Sequence, residues 1–135
     1  MSDYINMTAA ELAAELDQIL NVPAKGAPTG WVSMLDEATL AYRATMPGTQ
    51  VAEMQHEFGN ARSAFMRSYT TERGDYDAFK WNKVQYAAAN LACALRRLGE
   101  HRIARCTEEA GWGVCNLPLN EDGSCGSRFH VNKEA

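Results

Sequence analysis

The sequence lacks a long hydrophobic run, and it has little proline or cysteine. No apolar stretch in the 135 residues approaches the ~18 residues that identify a membrane-spanning helix. No basic region precedes an apolar stretch near the first residues, so we expect no secretory signal and a cytoplasmic location. Proline and cysteine occur four times each, which leaves room for long helices and argues against a disulfide scaffold. We therefore expect reduced cysteines and no membrane role.

Several sequence signatures of enzymes are also missing. The chain contains no glycine-rich phosphate loop, no G-x-S-x-G elbow and no H-E-x-x-H pair. These absences argue against the enzyme classes that carry such motifs, and we predict a non-enzymatic protein. The alternative is a small enzyme that depends on a metal or on a cysteine paired with a histidine.

The body of the chain predicts an all-α fold, as a three- to four-helix bundle or a long helical hairpin. Thr8 and Glu11 fit the T-x-x-E capping box that begins a helix. Three further amphipathic segments follow: about residues 31–45, a stretch that begins at Thr49, and roughly residues 76–106. Gly99 is where we expect the last of these helices to break or kink. We expect residues 1–110 to form the bundle and residues 111–135 to form a tail packed on it, within one domain.

The tail predicts a small C-terminal β-hairpin. After Gly111 the helical period disappears, and the Asp122-Gly123 dipeptide between short apolar stretches is typical of a tight hairpin turn. A two-residue turn would place Cys115 opposite His130, whereas a loop from Asn120 to Gly123 would place it opposite Arg128. The sequence leaves both registers open.

Three cysteines of the tail region and a histidine are candidate zinc ligands. Cys106, Cys115, Cys125 and His130 supply the soft donors of a Cys3His site, and His101 is a substitute for Cys106. The spacing lacks the close C-x2–4-C pair of most zinc sites. Thiols without metal and a Cys115–Cys125 disulfide are therefore kept as alternatives, and structural zinc is the one cofactor considered. We expect Cys93, which lies among alanines, to be a small buried residue.

Two residues of one predicted helix have the spacing of a di-iron motif. Glu53 and His56 match the Glu-x-x-His spacing of di-iron bundles. The helical period places both residues away from the apolar stripe of their own segment, and no second such pair exists. We therefore expect an exposed pair rather than a metal site.

Charge is unevenly distributed along a chain whose net charge is −4. Residues 1–60 carry eight acidic side chains against two basic ones, whereas residues 80–105 carry six basic side chains against one acidic. The basic set predicts a helix stripe that meets phosphates in a DNA-binding regulator, or that pairs with the acidic first helix. The stripe consists of Arg96, Arg97, His101, Arg102 and Arg105. No aromatic residue alternates with them, so nucleic acid is the less favoured partner.

The ending C-x-L-P-L-x-x-D-G-x-C…H, from Cys115 to His130, resembles short Cys-and-His endings of small actinobacterial and actinobacteriophage proteins. The resemblance covers about twenty residues and implies a source rather than an activity. The leading hypothesis is a protein-interaction module, such as an accessory protein of a phage or mobile element that binds a host or virion protein. Its expected anchors are Trp112, Arg128 and Phe129, because aromatic and arginine side chains dominate binding hot spots. A homo-oligomer is a further expectation.

Overall fold

Four α-helices form a bundle in the computed structural model, which describes residues 4–68, 77–110, 113–115, 117–120 and 123–125. The helices are α1 (Ala9–Ile19), α2 (Thr29–Thr45), α3 (Gln50–Ser68) and α4 (Ala78–Leu98). Single 3₁₀ turns, Tyr4–Asn6 and Ala24–Gly26, precede α1 and α2. The predicted all-α bundle is confirmed. No helix among the described residues combines the length and the apolar character needed to cross a membrane.

The central helix of the bundle is α4, which packs against both α1 and α3, while α2 packs mainly on α3. Its inward side chains alternate steps of three and four residues, so they form one apolar stripe. Val84, Ala88, Leu91 and Leu95 on this stripe are all fully buried. Phe65 of α3 lies against Trp81 with ring centroids 5.0 Å apart. The apolar contacts of α4 therefore join the first and third helices into one core.

Helix ends are held by side chains and by neighbouring backbone. The predicted capping box is confirmed: Thr8 Oγ1 accepts from the Glu11 backbone N–H, and Glu11 Oε1 accepts from the Thr8 N–H. Asp77 caps α4 by accepting from the Lys80 N–H. At the other end of α1, the Gln85 amide donates to the carbonyls of Ile19 and Val22. These contacts satisfy backbone groups that a helix end leaves without partners.

The long last helix ends earlier than its sequence period predicts. It stops at Leu98, and Gly99 adopts φ +57°, a left-handed conformation that favours glycine. The chain then turns back on α1, where Ala10 N–H donates to Gly99 O and Ala9 N–H donates to His101 O. The predicted break at Gly99 is therefore confirmed, but the predicted helix over residues 100–106 is wrong, because the backbone after Gly99 caps α1 instead of continuing its own helix.

A buried polar network joins α2 to α3. Asp36 Oδ1 accepts from Gln55 Nε2 at 2.8 Å, and Asp36 Oδ2 accepts from Arg62 Nε at 3.3 Å. Arg43 donates to the side-chain oxygen of Gln55, Oε1, so the oxygen and the nitrogen of this side-chain amide are both hydrogen-bonded. Gly59 gives the network room, since a Cβ there would lie 3.2 Å from Asp36 Oδ1. Because these hydrogen bonds satisfy the buried Asp36 carboxylate, they fix how α2 and α3 align.

The described residues of the C-terminal segment, which spans residues 100–125, have little regular structure. The two short antiparallel strands among them are β1 (Glu109–Ala110) and β2 (Gly113–Val114), with Glu109 opposite Val114. An isolated antiparallel bridge between Arg105 and Pro118 continues the same register. The predicted C-terminal hairpin around Asp122-Gly123 is not supported: the paired residues that the structure describes lie earlier in the chain, and residues 126–130 of the predicted second strand lie outside the described residues. Backbone hydrogen bonds join Cys106 to Leu117 and Ala104 to Leu119, and the periodicity of the sequence did not predict this pairing.

Candidate metal centre

Three cysteines of the C-terminal segment lie together in space. The sulfur atoms of Cys106, Cys115 and Cys125 all lie within 4.8 Å of one another. Each residue is at most 6% exposed, and Leu119 packs against the group. We call this group the cysteine cluster. It is a set of buried thiols that could hold a metal ion.

Backbone pairing brings the first two cysteines together. Cys106 N–H donates to Leu117 O at 2.9 Å, and Leu119 N–H donates to Ala104 O at 2.8 Å. Cys115 N–H donates to Glu108 O at 2.8 Å. Cys106 and Cys115 therefore lie on opposing arms of one irregular hairpin, although eight residues separate them in the sequence. Cys115 pairs with Glu108 on this side, whereas Arg128 and His130, its partners in the two predicted registers, lie outside the described residues.

A tight turn brings the third cysteine, Cys125, close to the other two. Gly123 N–H donates to Asn120 O at 2.9 Å, and Asn120 N–H donates to Ser124 O at 2.8 Å. Gly123 has φ +87°, which an L side chain rarely adopts, so the glycine suits this turn. The turn reverses the chain and places Cys125 Sγ 3.8 Å from Cys115 Sγ.

The thiols share a partly enclosed environment. A hydrogen bond from the Glu108 backbone lowers the pKa of Cys106, but burial and the neighbouring Cys125 and Cys115 sulfurs outweigh it, so the pKa is raised. Without a cation, Cys106 is therefore held as a thiol rather than a thiolate. A cavity of about 190 Å³ lies beside two of the sulfurs. It is lined by Arg105, Cys106, Thr107, Glu108, Leu119, Gly123 and Cys125.

The histidines considered as a fourth ligand are placed differently. His101 is half-buried with its ring against Tyr42, centroid to centroid 5.9 Å, and it is not in the cysteine cluster. Its proposed substitution for Cys106 is therefore wrong. The reason is that the segment after Gly99 packs on the bundle, where His101 O accepts from Tyr42 Oη. His130 lies outside the described residues.

Of the other predicted site residues, some lie on the surface and some lie outside the described residues. Trp112, Arg128 and Phe129 lie outside the described residues, so the structure gives them no position. Glu53 and His56 are both exposed, as predicted. Cys93 is exposed, so its predicted burial is wrong. Its position on α4 is turned away from the stripe that includes Leu91 and Leu95, and proximity to alanines in the sequence does not imply burial.

The predicted basic stripe does not form on one helix, because α4 ends at Leu98. Arg96 pairs with Asp17, and Arg102 Nη2 lies 3.8 Å from Glu11 Oε1. The alternative in which the acidic first helix pairs with these arginines is therefore the one the structure contains. Exposed pairs of this kind contribute little stability each. Arg97 remains on α4, and Arg105 lies at the bridge to Pro118.

Sequence reasoning identified the three cysteines but missed the residues that assemble them. Asn120 and Ser124 close the turn before Cys125, and the pairing of Arg105 with Pro118 sets the register. Comparison with protein families, with curated proteins and with solved structures gives no match for this chain. Any function is therefore inferred from the geometry of the residues themselves.

Proposed function

We propose that this chain is a non-enzymatic protein-interaction module whose C-terminal segment is held by a structural zinc ion. Cys106, Cys115 and Cys125 supply three ligands, and His130, five residues after Cys125, supplies the fourth. Four protein ligands leave zinc no open position for substrate, which is the property of structural sites.

The observation that carries the zinc proposal is the spacing of buried sulfurs. Zinc–sulfur bonds of about 2.3 Å in a tetrahedron place two sulfurs about 3.8 Å apart. The Cys115–Cys125 separation is 3.8 Å, whereas a disulfide requires about 2.05 Å. The spacing of these two sulfurs therefore matches that of two zinc ligands, and a zinc ion would also use Cys106, whose sulfur lies within 4.8 Å of both.

The small apolar cluster formed by the described residues of the segment supports the same proposal. Among these residues, Leu119 is the partly buried apolar side chain packed on the three cysteines, whereas the bundle has a large core of its own. Small modules with too little apolar area commonly obtain their folding energy from bound metal. Zinc would give the segment a defined shape from which Trp112, Arg128 and Phe129 contact a protein partner.

Metal analysis tests the zinc proposal directly. Protein purified without chelator is expected to contain about one equivalent of zinc. Cys115→Ser is expected to lose most of this metal and retain its helical circular dichroism, while Cys93→Ser, the matched control outside the cysteine cluster, keeps it. Less than about half an equivalent in the unaltered protein would overturn the proposal.

Partner capture tests the interaction proposal separately. A chain with Trp112, Arg128 and Phe129 changed to alanine should retain zinc and lose the partner that the unaltered chain captures from cells of its source. The control carries Glu53→Ala, His56→Ala and Asn60→Ala on the exposed side of α3. Equal capture by both variants would refute the role of the three anchors.

A further inference from the structure

Two sulfurs of the cysteine cluster lie close enough for a second kind of chemistry besides metal binding. Cys115 Sγ and Cys125 Sγ are 3.8 Å apart, and both residues are at most 6% exposed. A disulfide has about 2.05 Å between its sulfurs, so an approach of about 1.75 Å brings this pair to bonding distance. The turn at Gly123 already reverses the chain toward Cys115. The same pair can therefore share a metal ion or be joined by a covalent bond.

The backbone register disfavours a bond between Cys106 and Cys115. Cys106 N–H donates to Leu117 O, and Cys115 N–H donates to Glu108 O. Cys115 therefore lies diagonally across the hairpin from Cys106, two residues away from its direct partner Leu117. Residues in this diagonal relation are about 7–8 Å apart, which exceeds the Cα separation of about 4.4–6.8 Å that disulfides usually have.

A cavity of about 190 Å³ gives a small oxidant access to the cluster. Cys125 and Cys106 line this cavity, whereas Cys115 is not among its lining residues. The pKa of Cys106 is raised despite the hydrogen bond with the Glu108 backbone, because burial and the neighbouring sulfurs disfavour its thiolate. The thiolate is the form of cysteine that reacts with oxidants. We therefore expect oxidation to start at Cys125 and to be completed by Cys115, which lies behind it.

We propose that Cys115 and Cys125 form an oxidation site, at which hydrogen peroxide converts the two thiols to a disulfide and thereby stops the cluster from holding zinc. Oxidation leaves Cys106 and His130 as ligands, and two ligands are too few for a structural zinc site. The loss of zinc rests on the function proposed above, whereas the oxidation itself does not.

The reaction takes place in two steps that balance. In the first, the Cys125 thiolate attacks one oxygen of the peroxide, the O–O bond breaks, and a sulfenic acid and a hydroxide form. In the second, the Cys115 thiolate attacks the Cys125 sulfur, the S–O bond breaks, and a second hydroxide leaves. Each hydroxide takes up a proton and becomes water. The two sulfurs lose one electron each, and these two electrons reduce the peroxide.

Disulfide mapping of the full chain after peroxide treatment tests the oxidation site. Once the remaining thiols are alkylated, trypsin together with a protease specific for glutamate places the three cysteines of the cluster on separate peptides. Mass spectrometry is expected to find the Cys115 and Cys125 peptides joined, and dithiothreitol should separate them again. A disulfide that includes Cys106, or no disulfide, would overturn the proposal.

Zinc release, followed with a chromogenic chelator, tests the consequence of oxidation. Cys106→His and Cys115→His each keep four possible ligands, since histidine is an ordinary zinc ligand, but only Cys106→His keeps the reactive pair. Peroxide should release zinc from the unaltered chain and from Cys106→His at similar rates, and from Cys115→His at least about 10-fold more slowly. Equal rates in the two variants would contradict the role of the pair. If either variant binds no zinc, mapping of the unaltered chain still decides.

The zinc site and the oxidation site fail in different ways. If the chain is purified without zinc and peroxide still joins Cys115 to Cys125, the oxidation site is supported and the zinc site is refuted. If the chain carries about one equivalent of zinc and peroxide does not join these two residues, the oxidation site is refuted and the zinc site is retained. Cys93→Ser, which leaves the cluster intact, should behave as the unaltered chain in both measurements.

Discussion

The described residues of the helical body (4–68 and 77–98) and those of the C-terminal segment (within 100–125) are held together in different ways. The body buries an apolar core in which side chains such as Leu12, Phe58 and Leu91 have no exposed surface. Among the described residues of the segment, three of the four buried side chains are cysteines, Ile103 being the fourth, and the backbone hydrogen bonds are irregular. One chain therefore combines a fold driven by apolar burial with a part whose described buried side chains are mainly thiols that could hold a metal ion.

Removing the proposed zinc ion should have the largest effect and should distinguish the two regions most clearly. With a strong chelator, the amides of Cys106, Cys115 and Leu119 are expected to exchange hydrogen at least about 100-fold faster, since metal binding provides the folding energy of such sites. Amides of Leu91 and Leu95 should keep their protection because the apolar core is unchanged. Hydrogen exchange followed by NMR measures both sets. Unchanged exchange at Cys106 and Cys115 would contradict the distinction.

A core truncation should have the complementary effect. Leu91→Ala removes a fully buried side chain from α4, and we expect it to lower the free energy of unfolding by about 2–5 kcal/mol. Urea denaturation followed by helical circular dichroism measures this loss, and zinc content should stay unchanged in the folded protein. Leu40→Ala, at a 40% exposed position, is the control and should cost much less. Similar losses in both variants would refute the assigned burial.

Breaking the polar network between α2 and α3 should have a smaller effect, again confined to the body. Asp36→Ala removes the acceptor for Gln55 and Arg62, and it leaves buried donors without a partner. We expect a loss of about 2 kcal/mol, since Arg62 is partly exposed and regains water. Glu37→Ala, at the adjacent exposed position, should be nearly neutral in the same urea titration. A loss below about 0.5 kcal/mol in Asp36→Ala would show that the network contributes no net stability.

The smallest expected effect lies at the first turn of α1. Hydrogen bonds from the Thr8 backbone and side chain lower the pKa of Glu11 from its ordinary value of 4.5. The folded protein therefore gains stability from the ionised carboxylate above pH 4.5, and this gain is lost as the pH falls through the lower folded pKa. Glu11→Gln should flatten this part of the pH–stability curve, whereas Glu57→Gln should not. Thermal denaturation between about pH 6 and pH 3 provides the comparison.

Sequence reasoning predicted the body better than the segment for a physical reason. Helix formation depends on local spacing, so the capping box at Thr8 and the apolar stripe through Val84 and Leu95 are visible within single segments. The end of α4 depends on whether the chain after Gly99 packs on α1, which is a contact between distant residues. The candidate site was predictable as a set of cysteines, but the pairing of residues 104–119 that assembles them was not.

By itself, the sequence determined the all-α class, the start of α1, the exposed placement of Glu53 and His56, and the three cysteines as possible ligands. Only the tertiary structure decided that their sulfurs lie within 4.8 Å of one another, that His101 belongs to the bundle, and that Cys93 faces outward. The period of a helix depends on residues that are close together in the sequence. Contacts between residues far apart in the chain depend instead on how the elements turn and pack, and that outcome is decided by the free energy of the whole molecule.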